Sequence, residues 1–387
     1  MTQHLPLTKE HMNVTEPKFD EREIELLRAC LNSHWVTQGP FAKKFEQAFA
    51  QKHQVSFALT TTSCTAALHL AVLALGLGPE DEVIVPAFTW VTSANCVEYV
   101  GARVVFVDVE PNSFNLGSTL LEKAITPNTK AIVVVHLFGL AAKMDEIMTV
   151  ARKHHLYVIE DAACAVGTTY RDKPVGGFGD VGCFSFHPRK IITTGEGGMV
   201  TTNFEKIALK IQSLRNHGAT GVPPAYKENP KPYAMSTFDV LGYNLRMSDI
   251  QAAVGVAQME KLDALLSERK QMAKNYDELL CNVNRIAPPI VPQGCGHTYQ
   301  SYVIRVLQGG RQKRNEIMDY LASLNIQTRP GTHAVHRLGY YQSKYHLSPS
   351  DFPVASLCED MTITLPLFPG MTLEDQQVVI SNLKKAL

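Results

Sequence analysis

Three stretches of this chain combine residue types that could do chemistry. The first is Glu160-Asp161, directly after the apolar run Tyr157-Val158-Ile159. Open parallel sheets bind ligands beyond the carboxyl ends of their strands, so a carboxylate placed there can meet a bound cation. Read alone, Asp161 is first of all a helix N-cap, since Ala162-Ala163-Cys164-Ala165 follows it. The second stretch is the glycine-rich turn Gly176-Gly177-Phe178-Gly179-Asp180. The third runs through Phe184-Ser185-Phe186-His187-Pro188-Arg189-Lys190 to a second glycine turn, Gly195-Glu196-Gly197-Gly198. Glycine lets backbone approach a ligand closely and permits positive φ. The Ser185 hydroxyl can donate to a phosphate. An isolated lysine is ordinarily a solvated surface charge. Lys190 is different, because Pro188, a Phe-Ser-Phe strand and Ile191-Ile192 surround it, and this setting is expected to direct it into a cavity.

The elements that must position these groups follow from the apolar pattern. Val55–Leu59 reads as a strand and Thr65–Leu75 as the helix after it. Val83-Ile84-Val85, Val104–Val107, Ala131–Val135 and Tyr157-Val158-Ile159 read as further strands, with an amphipathic helix over Met144–His154. Continuous apolar strands interleaved with helices predict an α/β fold, a three-layer αβα arrangement around a mostly parallel sheet. Ser248–Leu280 reads as one long helix with Ser248 as its N-cap, and Ala252, Val256, Met259 and Leu262 fall near one face. Pro288-Pro289 marks a linker into a smaller C-terminal α+β part.

A chain of 387 residues exceeds the ~250–300 that one core normally serves. We therefore place a large domain at residues 1–280 and a small one at 281–387. The N-terminal helices, about Glu21–Leu31 and Phe41–Gln51, are expected to pack back on the small domain. Gly218–Thr237 is rich in Pro, Gly, Lys and Tyr, is long for a structureless loop, and reads as a functional segment.

Lys and Arg number 37, and Asp and Glu also number 37. That balance favours neither nucleic acid nor an anionic membrane as a partner. The eight cysteines are scattered and form no CxxC pair, which argues against a disulfide framework or a structural zinc or other metal site. Met1-Thr2-Gln3-His4-Leu5-Pro6 lacks the order of a secretory signal, and the apolar stretch Ala66–Gly78 is too short to span a bilayer. The expected setting is a reducing cytoplasm.

Further stretches extend the pattern: Thr37-Gln38-Gly39-Pro40 with Phe45-Glu46, Ser63-Cys64-Thr65-Ala66-Ala67-Leu68-His69, and Asp81-Glu82-Val83-Ile84-Val85-Pro86. Gly242-Tyr243-Asn244-Leu245-Arg246-Met247-Ser248 and Leu365-Pro366-Leu367-Phe368-Pro369-Gly370 continue it. With Glu160–Ala163, Phe184–Lys190 and Thr194–Gly198, they run in order along nearly the whole chain. Together they resemble the DegT/DnrJ/EryC1/StrS family of sugar aminotransferases. The resemblance implies the aspartate-aminotransferase fold, the type I fold of pyridoxal-phosphate enzymes, and pyridoxal 5'-phosphate as cofactor.

The same resemblance implies roles. Lys190 would bond to the cofactor aldehyde and later shuttle a proton; burial near cations should lower its pKa, as a base requires. Asp161 would pair with the pyridine nitrogen and keep it protonated. Trp90 would stack on the ring, although it reads equally as a core tryptophan. Thr65 and Ala66 open a helix whose free N–H groups favour a phosphate, and Ser185 would add a hydrogen bond. Asn244 would reach that phosphate from a second subunit, making a homodimer with shared sites; beside Gly242 it also reads as a turn residue. Cys64 stands where Gly is usual, and Cys164 stands where His or Gln is frequent, which bears on the contact to the ring's phenolic oxygen. In Arg329–His336, where the family closes over its sugar, Arg329 and His336 are candidates for substrate contact. Arg246 is a candidate for the donor carboxylate.

The activity so implied is transfer of an amino group from L-glutamate to a keto group on a nucleotide-linked deoxysugar, C4 favoured over C3, by a ping-pong course. Other readings stand beside it. Sugar dehydratases on the same fold replace the lysine with histidine, which Lys190 opposes. A non-catalytic, cofactor-binding regulator would be expected to carry a helix-turn-helix or basic patch, and none is visible. A plain amino-acid aminotransferase is opposed by the sugar-family motifs.

Overall fold

The computed structural model describes residues 11–221 and 231–387. The start of the chain, Met1–Pro6, and part of the Gly218–Thr237 stretch (residues 222–230) lie outside them. The apolar runs become a seven-stranded sheet: β1 (Phe57–Thr61), β2 (Glu82–Pro86), β3 (Arg103–Val107), β4 (Thr129–Val135), β5 (Tyr157–Asp161), β6 (Val181–Ser185) and β7 (Gly198–Thr202). Their spatial order is β1-β7-β6-β5-β4-β2-β3. The pairs are parallel except the two made by β7. Val83, Val133 and Ile159 join one hydrophobic cluster, and Ile84, Ile132 and Val158 join the other. Adjacent strand side chains point to opposite faces, so these β-branched runs fill both layers at once. Each such side chain contributes about 1.5–3 kcal/mol on full burial.

The first strand lies two residues later than the sequence predicts. Helix α2 (Pro40–His53) ends at Gln54 in a left-handed cap, and the Val55 N–H closes that cap on Ala50 O at 3.1 Å. Val55 therefore belongs to the helix end, not the sheet.

The N-terminal helices do not pack on the small domain. Phe45 and Phe49 of α2 meet Phe186 and Phe184 of the large part at ring distances of 4.9 Å each. Asp249, at the start of α5 (Asp249–Glu260), caps α2 by accepting from Gly39, Phe41 and Ala42 N–H. Glu23 of α1 (Glu21–Asn32) accepts from Gln258 of α5 at 2.6 Å. These polar ties and the phenyl stripe fix both helices to α5 and the large sheet. The segment that does reach the small part is Met12–Val14, which bonds to Asn325, Gln327 and Leu367.

Helix α3 (Cys64–Leu75) and α4 (Met144–Lys153) cover opposite faces of the sheet. The single helix expected over Ser248–Leu280 is two, α5 and α6 (Leu262–Leu280), parted at Lys261 with φ −103 and ψ 2. The Lys261 ammonium there reaches Asp20 at 2.6 Å. Ser248 is the N-cap, in a capping box with Gln251. Beyond α6, β8 (Ile286–Ala287), β9 (Tyr302–Val306) and β10 (Thr362–Leu365) form an antiparallel sheet with α7 (Gly310–Ser323) and α8 (Leu373–Ala386) around a third cluster. We keep residue 280 as the proposed division; α6 serves both parts, with Leu262 and Leu265 in the large core and Met272 and Tyr276 in the small one.

Candidate active site

Val135 and Asp161 close β4 and β5 side by side, in register with Cys183 within β6. Asp161 is 4% exposed. Its Oδ2 accepts from Ser93 Oγ at 2.6 Å, and its Oδ1 accepts from Ala163 N–H at 3.2 Å. The chain turns after Asp161 instead of entering a helix, so the N-cap reading does not hold. Burial raises the carboxyl pKa, and Ser93, the Ala163 N–H, Lys190 and His136 only partly offset it. Such a carboxylate is ready for a cation.

Glu160 does a different job. Its carboxylate accepts from the N–H groups of Gly176, Phe178 and Gly179 at 2.7–2.8 Å. His136 Nδ1 accepts from Ala142 N–H, so its Nε2 carries the proton and donates to Glu160 at 3.0 Å. Burial opposes the Glu160 charge, but His136 and these N–H groups outweigh it and hold the pKa below its ordinary value. The first glycine turn is thus a clamp inside the fold rather than a loop approaching a ligand. A Cβ on Gly176 would lie 2.4 Å from the Phe184 ring.

Lys190 closes a turn through its N–H to His187 O at 2.8 Å. Its Nζ enters the cavity and donates to Cys164 Sγ at 3.0 Å. Burial pushes its pKa down, but Cys164, Cys64 and Asp161 outweigh that, and the net direction is upward. The expected lowering is corrected: the groups facing the amine are two sulfurs and a carboxylate, not cations.

Thr61, Gly198 and Ser185 form one row across β1, β7 and β6. Just beyond it, Ser63 caps α3 and accepts from Ala66 N–H at 3.1 Å. Thr65 and Ser185 line the cavity; Ala66 does not, because the cap takes its N–H. Gly198 makes this corner possible, since a Cβ there would lie 2.4 Å from Ser63 C.

The cavity measures about 590 Å³, within the ~300–1,000 Å³ usual for small-molecule sites. Of the predicted residues, Thr65, Trp90, Asp161, Cys164, Ser185, Lys190 and Arg329 meet in its walls. Trp90 is 52% exposed, so its face is open rather than packed in the core. Asn244, Arg246 and His336 are not there. Arg246 is held by Asn216 Oδ1 at 2.6 Å, and Asn244 lies exposed, bridged to Asn216. His336 is fully buried, with Nε2 3.1 Å from Ser356 Oγ and its ring against Phe352. His333 takes the cavity position instead, through a two-residue ladder that sets it opposite Thr89, beside Trp90. Sequence reasoning also missed Ser93, Arg189 and Gln300. Arg189 adjoins Lys190 and could have been found by position; Ser93 and Gln300 are brought in only by the fold.

A fold of this topology with a carboxylate, a lysine and an open helix start at the strand ends defines an aminotransferase-type site. Residues 17–384 match the DegT/DnrJ/EryC1/StrS aminotransferase family, and the chain belongs to it. It is 41% identical over 378 residues to the GDP-perosamine synthase of Caulobacter vibrioides, covering 97% of this chain and 98% of that one. It is 37% identical to the spore coat polysaccharide biosynthesis protein SpsC of Bacillus subtilis, covering 95% of each. Among solved structures, Spr1654 of Streptococcus pneumoniae in its PMP form superposes with a TM-score of 0.92 at 29% identity, covering 97% of this chain and 98% of that one; its PLP form is also known. The chain is a sugar aminotransferase that depends on pyridoxal phosphate, on the type I α/β fold.

The residues present fit that cofactor. Asp161 accepts two hydrogen bonds and has acceptor capacity left for a ring N–H. An amine at Lys190, an exposed indole at Trp90 and the start of α3 with no acidic residue in its first turn share the one cavity.

Proposed function

We propose that this enzyme moves an amino group from L-glutamate to a keto group on a nucleotide-linked deoxysugar, at C4 in preference to C3, by a ping-pong course. The observation that carries the reading is the joint placement of Lys190, Asp161 and Trp90 in one cavity within a chain so similar to a GDP-perosamine synthase. A GDP-linked keto sugar is accordingly the first acceptor to test.

Pyridoxal phosphate, when bound, supplies an aldehyde to carry the amino group and a ring that withdraws electrons from the donor carbon. Asp161 holds the ring nitrogen in its protonated state, and Ser93 and Ala163 fix the carboxylate for that task. Lys190 holds the cofactor and, once its amine is free, moves the proton off the donor carbon at Nζ. Nζ would hold that proton as ammonium only until it is delivered to the aldehyde-derived carbon within the same half-reaction. Thr65 and Ser185 bind the phosphate, and Trp90 orients the ring. Cys164 sits 3.0 Å from Nζ and steadies the amine. Lys190 in place of histidine opposes a dehydratase.

Asn244 would serve the site of a second copy in a homodimer; its exposure and its absence from its own chain's cavity support this reading. The eight cysteines are free, which suits a cytoplasmic setting. Among the described residues no helix is long and apolar enough to cross a membrane.

The test is an absorbance spectrum of the purified protein before and after L-glutamate, with Lys190→Ala beside it. The expected result is a cofactor band that glutamate shifts in the wild type and not in the variant, whose half-reaction falls by at least about 10²–10⁴-fold. A bound cofactor indifferent to glutamate would sink the donor assignment. A protein that retains no cofactor would sink the roles of Lys190 and Asp161 together.

A further inference from the structure

Among the described residues, two guanidinium groups in the cavity wall have no ion-pair partner. Arg189 precedes Lys190 in the turn after β6, and Arg329 enters from the small-domain side, its backbone paired with Thr364. Both side chains are exposed and both line the cavity. Neither guanidinium has an ion-pair partner among the described residues; the hydrogen bonds these two residues make run through backbone atoms. The carboxylates of the wall are Asp161 and Glu196. Ser93 and Ala163 hold Asp161, and Glu196 faces His187 at 3.9 Å. Glu359, which touches the wall through His333, is taken by Arg311 and Arg337 at 2.9 and 3.0 Å. Burial first, and the Arg329 charge next, push the Arg189 pKa down. Two like charges facing one space are costly until an anion enters between them. Guanidinium forks match the paired oxygens of carboxylates and phosphates.

We propose that Arg189 and Arg329 together bind an oxyanion of the substrate, at a place built from other elements than the cofactor-phosphate corner of Ser63, Thr65 and Ser185. The proposal rests on the aminotransferase reading for its two sources of oxyanion: a carboxylate of the amino donor and the diphosphate of the sugar nucleotide. It moves the search for the donor's arginine away from Arg246, whose guanidinium is engaged by Asn216.

The experiment is titration calorimetry on cofactor-loaded protein with two unreactive probes, glutarate and GDP. Wild type, Arg189→Gln, Arg329→Gln and Arg189→Lys are compared. At least one probe should bind the wild type and bind each Gln variant about tenfold or more weakly, with Arg189→Lys retaining part of the affinity. Loss of glutarate binding assigns the clamp to the donor, and loss of GDP binding assigns it to the nucleotide. Equal affinity in wild type and both Gln variants overturns the proposal, as does a wild type that binds neither probe. Both positions are exposed, and circular dichroism with retained cofactor verifies that the variants fold. The aminotransferase reading is judged separately, by the glutamate-induced absorbance change in the wild type. That reading can fail while probe binding still depends on both arginines.

Discussion

Asp161 and Glu160 are neighbours in sequence with opposite fates. Both are buried carboxylates at a strand end, yet one carries a raised and the other a lowered pKa. The difference is the count of donors each receives: His136 and three backbone N–H groups for Glu160, one hydroxyl and one N–H for Asp161. Asp161 is the one left needing a cation. Asp161→Asn should therefore release the cofactor about ten- to a hundredfold more readily, the worth of one charge-assisted hydrogen bond. Dialysis followed by absorbance measures this, and unchanged retention would remove Asp161 from the site. The histidines make the same point. His333 and His336 are three residues apart, and only the ladder with Phe88–Thr89 decides that the first faces the cavity. Nothing in their types or spacing carries that information.

At the scale of elements, the site is a row of strand ends plus the start of one helix. Gly198 is the tightest joint between them, because β7 passes against the backbone of Ser63 and Cys64. Gly198→Ala should force β7 and α3 apart, with a loss of about 1–3 kcal/mol in stability and weaker cofactor retention. A melting curve and the dialysis assay would read both, and a variant with wild-type values in each would show that the corner is not so closely set. The glycine turn at 176–179 looks similar in sequence and is not part of this corner. It is held by Glu160 from within the sheet. Glycine-rich spacing marks close approach of backbone to something; whether that neighbour is a ligand or a strand depends on the packing.

The whole molecule binds two parts through α6, the Met12–Val14 segment and a third core. Buried histidines give it a pH response. His53 donates from Nδ1 to Val175 O at 2.9 Å, and its pKa is lowered to about 4 by burial above all. His297 is lowered likewise, to about 3. The unfolded chain binds these protons at an ordinary pKa of ~6.5. Stability from neutral burial is thus complete above about pH 6.5 and is lost as pH falls towards 4. Thermal unfolding should show a steep decline across that window, and His53→Phe should flatten it. A wild-type profile that stays level from pH 6.5 to 4 would contradict this. Assembly belongs to the same scale. If Asn244 serves a partner's site, Asn244→Ala should weaken cofactor retention without lowering the melting temperature by more than about 0.5 kcal/mol's worth. Sedimentation showing only monomer would exclude the shared site.

The sequence by itself determined the three-layer sheet and the positions of most strands and helices, and its resemblance to a family pointed to Lys190, Asp161, Trp90, Thr65 and Ser185 as site residues. Those depend on local matters: apolar runs that suit a doubly covered strand, a Ser N-cap, and motifs whose order survives along one dimension. Only the tertiary structure decided where α1 and α2 pack, that Lys261 breaks a helix, and that His333 and Arg189 join the cavity while His336 and Arg246 do not. Each of those outcomes depends on a contact between residues far apart in the chain, such as Asp249 capping α2 or His333 pairing with Thr89. Such contacts leave no periodicity or spacing behind. They are set when the hydrophobic layers close and the buried polar groups must find partners.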